Sequence, residues 1–473
     1  MLLIRIIILY VQDFFKLIIS LSFLFLATSA TALVHSYDEM PTSFKDKWEK
    51  LLHYKNKQSL LYSHDFFLSS NGTVSPQNEL LATINFFEKD PLNKCLFPAR
   101  NYLINGEEPS SKCTDFQEFK KYVSTDVVRV VFADESVNSP ISSMGHVFLV
   151  LEGINANGIY KKHATSFVAD TSVTKNLLVG FIFDEITGTY TLEPYDDTIY
   201  RYVSEEKRTL WEYELNLSDE EKKWLFYHLY ELKSHKFKYN FFDNNCASGT
   251  ESLLAIANSG FEKENHNFYI TPIEYVKYLA SSNRVIEHSV RPSSEDDHRL
   301  KHKVTVDPLL SGETSRVSLM VNINKSYRPE YKFKYLPLSS DYTEDTLGKS
   351  KLSEFKLLEF IAKHANDYTS IEEITLINMR SLPNFLINKK PKFNFGIKFH
   401  GDVDNQKTVL NPDLNLGIGY SFYEKGFRPF IAVDSGLYMT RARASLYLSS
   451  NIGVTYSHKL LGKFFFNLKK YML

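Results

Sequence analysis

Neither sign of charge dominates this sequence: its 473 residues carry 55 Lys and Arg against 56 Asp and Glu, a formal net charge of -1. The basic face that a nucleic-acid partner needs is therefore not expected. Cysteine is scarce, at three residues, and none of them forms a Cys-x-x-Cys pair. His146, His163 and His228 make no i, i+4 pair either, so a zinc site built from them is not expected, and no cofactor is. A long membrane-crossing run is also missing near the start. Leu17–Ala27 is apolar but falls short of the ~20 residues that a spanning helix needs. Asp13 and Lys16 separate it from the apolar stretch at Leu2–Val11.

What is present near the start is the pattern of an export signal. Arg5 and Lys16 form a positive flank, and Ala30-Thr31-Ala32 gives the small-x-small pattern that a signal peptidase accepts. Residues 1–32 are read as a signal peptide, with an uncleaved signal anchor as the alternative. No Cys follows the apolar run, so no lipoprotein anchor is indicated. Export makes thiols prone to pair. Cys95 and Cys113 enclose a polar, turn-rich segment from Asn105 to Ser111, and a bridge there would stabilise the fold by ~3 kcal/mol. Cys246 is then left alone, either buried and inert or chemically employed.

With 43% hydrophobic and 14% aromatic residues, the chain can build two or three cores. Residues 33–124 read as a helical domain: Trp48, Leu51 and Leu52 recur at helical spacing, and Ser75-Pro76 opens a second helix. At Val127 the period changes to that of strands. Residues 125–284 read as an α+β domain with strands at Val127–Phe132, His146–Glu152, Thr165–Ala169 and Gly180–Phe183. A helix is expected over Leu215–Phe237, capped by Ser218 with Glu221, and another from Asn245-Cys246 towards Gly260. The polar stretch 285–312 reads as a linker. Residues 313–473 alternate repeatedly in Tyr- and Phe-rich runs, which fits an antiparallel β sandwich or barrel. A soluble β-domain and an outer-membrane barrel both fit that alternation.

Chemistry concentrates in the run Tyr239 to Gly249. Turn-forming residues stop where a helix begins, and Cys246 falls in its first turn. Unpaired N–H groups and the positive end of the helix dipole would favour a thiolate there and could hold an oxyanion. Gly249 would leave room for a strand to pass. A thiolate nucleophile needs a base, and His146, at the mouth of an apolar strand, is the best placed. Trp211 and Tyr213 are expected in the core, Glu212 and Arg208 as an ion pair, and His228 and His235 at the surface or in packing.

Four stretches carry a resemblance. Asn138-Ser139-Pro140 to Gly145-His146-Val147-Phe148-Leu149, Glu205 to Leu217, Phe237 to Ala247, and Cys95 to Arg100 resemble motifs of the Lnb N-terminal periplasmic domain family in their expected order. That family is similar to permuted papain-like proteins of the NlpC and lecithin retinol acyltransferase type, in which the histidine strand precedes the cysteine helix. The resemblance implies His146 as base and Cys246 as nucleophile toward an amide or ester. Relatives carry an Asn that orients the ring. Ser166 stands at that place here, with His163 as its rival on the opposite face of the strand. The expectation is thus an exported protein of the periplasm or outer membrane, α+β in class. It would act on an envelope peptide, lipid or protein as a thiol-dependent hydrolase or acyltransferase. The competing reading is a non-catalytic scaffold or secretion helper whose β-domain docks at the outer membrane. A third has Cys246 oxidised in a disulfide with Cys95 or Cys113.

Overall fold

The computed structural model describes residues 37–63, 65–136, 142–170, 186–263, 269–294, 297, 307–323, 329–340, 352–365, 368–386, 392–404, 407–422, 427–458 and 462–472. The expected signal peptide, the turn at Asn138–Pro140 and the strand at Gly180–Phe183 lie outside the described residues.

Four helices lead in: α1 Thr42–Leu51, α2 Pro76–Lys89, α3 Pro98–Asn105 and α4 Thr114–Tyr122. Ser75 caps α2 with its side chain, and Pro76 occupies the first turn, where its missing N–H costs nothing. Cys95 and Cys113 are joined in a disulfide, and Cys246 is free. The fully buried guanidinium of Arg100 donates to Glu79 Oε1 at 2.8 Å and to the Phe66 carbonyl at 2.8 Å. The Phe66 and Phe97 rings flank it at 4.2 and 4.3 Å.

The central sheet contains β3 Val127–Ala133, β4 His146–Ile154, β5 Tyr160–Ala169, β6 Ile186–Pro194, β7 Leu210–Leu215, β8 Phe237–Tyr239 and β9 Val285–Arg291 (β1 and β2 are a two-residue hairpin, Tyr54–Lys55 with Gln58–Ser59). Its order is β8-β6-β5-β4-β3-β7-β9. Strand β9 occupies the start of the stretch read as a linker, pairing through Arg291 with Leu210. The expected Leu215–Phe237 helix is shorter, because Leu215 closes β7. The helix proper is α6 Asp219–Leu232, with the Ser218–Glu221 capping box in place. Between β6 and β7 lie α5 Tyr195–Ile199 and a wide turn of helix, Tyr200–Glu205. After β8 come α7 Cys246–Ala257 and α8 Pro272–Ser281.

Strand alternation divides the core. Val130 and Phe132 of β3 and Val147, Leu149 and Leu151 of β4 belong to one cluster, shared with the helices. That cluster runs from Trp48 and Leu51 in α1 to Leu338 and Phe355 in the C-terminal sheet. Val131, Ala133, Phe148, Val150 and Ala164 face the other way, under Tyr195 and Tyr202.

The tail is a single antiparallel meander. Its path is β10 Arg316–Ile323, β11 Pro329–Leu336, β13 Leu352–Ala365, β14 Tyr368–Leu382, β15 Lys392–Asp404, β16 Lys407–Ser421, β17 Phe427–Met439, β18 Ala444–His458 and β19 Gly462–Met472, with the short β12 Leu338–Ser340 beside β13. It is not a sandwich, and among the described residues β10 and β19 are not paired, so the sheet is open rather than closed.

A buried histidine pair joins the lead-in helices to α6. His53 Nε2 lies 2.9 Å from His228 Nε2, and Glu231 Oε2 lies 3.4 Å from His228 Nδ1. Burial keeps His53 well below its usual range and brings His228 down to about 3, with the Arg100 charge adding to the second shift. The unfolded chain protonates both near pH ~6.5. Their contribution to stability is therefore complete above that pH and is lost as the pH falls towards the folded values. Burial raises Glu231 to about 7, which opposes one histidine between roughly pH 4.5 and 7. The expected urea midpoint thus declines below about pH 6.5 and declines more steeply below about pH 4.5. Replacing His53 with Asn should flatten that slope by about one proton's worth, ~1.4 kcal/mol per pH unit. A midpoint that holds level down to about pH 4 would refute this.

Candidate active site

Helix α7 begins where Asn245 caps it. Asn245 Oδ1 accepts from the Ala247 and Ser248 amides at 2.9 and 3.2 Å, and the Asn245 N–H donates to Ser248 Oγ at 2.9 Å. Its Nδ2 donates to the Phe241 and Ile270 carbonyls, both at 3.0 Å. Asn245 therefore sets the position of Cys246 from both sides. The same cap occupies two of the N–H groups that the sequence offered as an oxyanion hole.

The Cys246 thiol is buried in the helix-side cluster. It opens on an apolar pocket lined in part by Met144, Gly145, Tyr239, Phe241, Ile270 and Leu338. Helix α7 packs on β4, and Thr250 Oγ1 lies 3.5 Å from the Val147 carbonyl. Gly145, just before His146, has φ +86°, and an added Cβ would stand 2.4 Å from the Phe132 ring. Only glycine fits that turn. Gly249 does for β5 what the sequence suggests: a Cβ there would meet the Phe167 ring at 2.5 Å, and its carbonyl accepts from the Tyr190 hydroxyl at 2.8 Å. Gly249→Ala should accordingly cost ~1–3 kcal/mol by overpacking. A denaturation midpoint unchanged from the parent would show that helix and strand part freely.

The electrostatics differ from the sequence expectation. Burial pushes the Cys246 thiol up to about 11, and the Val147 amide, the Arg208 charge and the Ala247 and Cys246 amides only partly offset this. The helix terminus acts in the expected direction but loses to desolvation. His146 is brought down to about 3 by burial, with the Arg208 and Arg201 charges adding to it. At neutral pH the resting thiol and the resting imidazole are both neutral, not an ion pair.

His146 opens β4 opposite Ala133. Its ring lies over the second cluster, 5.9 Å from Phe148 and 6.0 Å from Tyr202 between ring centroids. Its Nε2 is buried and has no hydrogen-bond partner among the described residues. The thiol lies against the backbone on either side of His146, while the imidazole turns to the far face of the sheet. Ser166 follows Thr165, which pairs with Leu149, so alternation gives it the face of Ala164 and Phe148, the face His146 also takes. His163 pairs with Leu151 at the far half of β4. Its ring meets that of Tyr122 at 4.3 Å, tilted by 52°, away from the imidazole.

Three residues to which the sequence reading gave no catalytic role converge on the site. The Tyr202 hydroxyl is within electrostatic reach of Cys246 and lies beside Arg208, whose guanidinium stands 4.9 Å over the Tyr202 ring. Arg208 acts on both Cys246 and His146. It is held by the Asp134 and Ala133 carbonyls at 2.5 and 3.0 Å and by Glu206 at 3.0 Å. Its ion-pair partner is thus Glu206 and not Glu212, which instead binds the Tyr195 hydroxyl at 2.7 Å and pairs with Arg291. The Tyr239 hydroxyl meets the Cys246 amide and feels the thiol. The sequence offered Arg208 only as half of an ion pair with Glu212, and nothing local to it announces that the fold buries it beside the thiol. Among the described residues no cluster of metal-ligating side chains occurs.

Residues 115–282 match the Lnb N-terminal periplasmic domain family, and residues 43–107 match a domain of unknown function, DUF7843. Neither a curated protein nor a solved structure matches the chain.

Proposed function

Because the chain carries an Lnb N-terminal periplasmic domain, which marks it as exported, we propose that it is a thiol-dependent hydrolase or acyltransferase of the cell envelope, working at the outer membrane. The substrate is an amide or ester of an envelope peptide, lipid or neighbouring protein. The observation that carries this reading is the thiol on the first turn of α7, in an apolar pocket, against the backbone of the strand that His146 opens. The order of histidine strand before cysteine helix supports the permuted papain-like reading of the central domain.

In this reading the Cys246 thiol gives its proton to His146 Nε2 as sulfur attacks the substrate carbonyl carbon. The tetrahedral intermediate collapses, the C–N or C–O bond breaks, and the imidazolium returns its proton to the departing amine or alcohol. Water, or a second nucleophile, then attacks the thioester and frees the thiol. In this reading the imidazole turns around the end of β4 to reach the sulfur, leaving its packing on Phe148 and Tyr202 but breaking no hydrogen bond at Nε2. The Arg208 charge favours the thiolate as it forms, and the Tyr239 hydroxyl stands beside it. Ser166 shares the resting face of the ring and positions it there.

The test is turnover of p-nitrophenyl acyl esters with intact-mass detection of an acyl group on Cys246. Cys246→Ser should lose the adduct, and His146→Ala should slow turnover at least ~100-fold, within the range of general-base removal. Turnover that survives Cys246→Ser would overturn the reading. A scaffold is the second reading, favoured by one observation: at rest, thiol and imidazole are both neutral and belong to opposite faces of the sheet.

A further inference from the structure

The C-terminal sheet is built inside out. In β17, Phe427, Pro429, Ile431 and Val433 are exposed, while the alternate residues Arg428, Phe430, Ala432 and Asp434 are buried. In β16, Leu414, Leu416 and Ile418 are exposed, whereas Asn411, Asp413, Gly417 and Gly419 are buried. Strand β11 repeats the pattern with Tyr331, Phe333 and Tyr335 outward and Glu330, Lys332 and Lys334 more sheltered. A water-soluble sheet packs its apolar face and wets the other. Here the sheltered face is largely polar away from an apolar patch of Leu352, Leu382, Phe430 and Ala432, and its charged groups pair across strands: Arg380 with Asp434 at 2.7 Å, Lys334 with Glu359 at 3.0 Å, and Asp413 with both His400 at 3.0 Å and the Tyr447 hydroxyl at 2.8 Å. Leu446 is 76% exposed and Leu416 64%. A protein partner would cover one patch, but this apolar surface recurs on β10, β11, β16, β17 and β18.

We propose that the outward face of this sheet is seated in the acyl chains of a lipid bilayer. Strands β13 to β19 are 11 to 15 residues long, enough to cross where ~9–11 tilted residues suffice. Aromatic rings gather at one end. Phe385 meets Tyr420 at 5.2 Å and Phe422 at 5.8 Å, and Phe427 meets Tyr456 at 4.4 Å. This is the girdle expected at headgroup level. The opposite end exposes Asp402, Arg441 and Arg443 to water. Because a bilayer tolerates no unpaired strand edge, the proposal includes closure of β10 upon β19 in lipid. The girdle end is also the end that meets the central domain, where Phe355 faces Phe241 at 6.4 Å. This inference stands whether or not Cys246 turns over.

The full chain, carrying Cys246→Ser, is reconstituted with phosphatidylcholine brominated in mid-chain, and single tryptophans are placed at Leu416 or Ser449. The native tryptophans at 48, 211 and 224 lie outside this sheet and give the background. The Leu416→Trp signal should be quenched at least twofold, and the inward Ser449→Trp signal should stay at background. Ile452→Arg should lower vesicle recovery at least tenfold. Equal quenching at the two positions, no quenching at Leu416, or a lipid-free assembly of copies that hides Leu416 from aqueous quenchers would each overturn the proposal.

Discussion

Replacing Arg100 with Ala should lower the free energy of unfolding by ~3–5 kcal/mol, the loss expected when one partner of a buried ion pair is removed. The guanidinium and the Glu79 carboxylate are both fully buried. Glu79 also accepts the Leu68 amide at 3.0 Å and the Ser69 amide at 2.8 Å. Taking Arg100 away leaves a buried carboxylate with amides alone for company, and it opens a gap between the Phe66 and Phe97 rings. Arg100 also stands beside Glu231, whose Oε1 accepts the Ala99 and Arg100 amides at 2.7 and 3.0 Å. The loss should therefore spread into the His53–His228 pair, which joins the lead-in helices to α6. The paired change Arg100→Met with Glu79→Gln should recover most of the loss, because a volume-matched neutral pair removes the unpaired charge. Urea unfolding followed by far-UV circular dichroism measures all three proteins. If Arg100→Ala alone costs less than ~1 kcal/mol, as an exposed pair would, the network is not what holds the lead-in helices to the central domain.

The second large effect is kinetic. A thiol at about 11 holds about one part in a thousand as thiolate near pH 8, against roughly a quarter for a free thiol at ~8.5. Alkylation of Cys246 by iodoacetamide in the folded protein should run at least ~100-fold slower than in urea, rising about tenfold per pH unit towards pH 10. Arg208→Met should slow it further, since the lost charge was favouring the thiolate. His146→Ala should leave the resting rate nearly unchanged, because the ring lies over the other cluster. Fast labelling near neutral pH that His146→Ala abolishes would show a standing ion pair and would replace the resting state described above. The two outcomes separate a site that waits for substrate from one already charged.

Much of the fold could be read from local chemistry. Ser218 with Glu221, Ser75 with Pro76, and the two cysteines around a polar turn each act over a few residues, so sequence carries them. Cys246 at a helix start was legible for the same reason, since Asn245 is a capping residue wherever it occurs. The thiol's ionisation was not legible: a helix terminus lowers it locally, but burial, which depends on how α7 packs on β4, decides the sign. The face taken by His146 was hidden for a related reason. Alternation ties it to Phe148, but only the packing of α7 and Tyr202 decides which side is which. The pairing of Arg208 with Glu206 turns on a wide helical turn that spacing alone does not announce. In the tail, alternation was legible over Phe430–Thr440, while the choice of which set points inward was open until Arg380 met Asp434.

Leu338 belongs at once to the tail and to the wall of the thiol pocket. It is made more than ninety positions after Cys246, so the pocket wall is complete only when the chain has been made past residue 338. The tail in effect supplies part of the pocket wall. A fragment ending before Leu338 would carry the thiol, the histidine and both tyrosines, yet it would present the sulfur through an unfinished cleft.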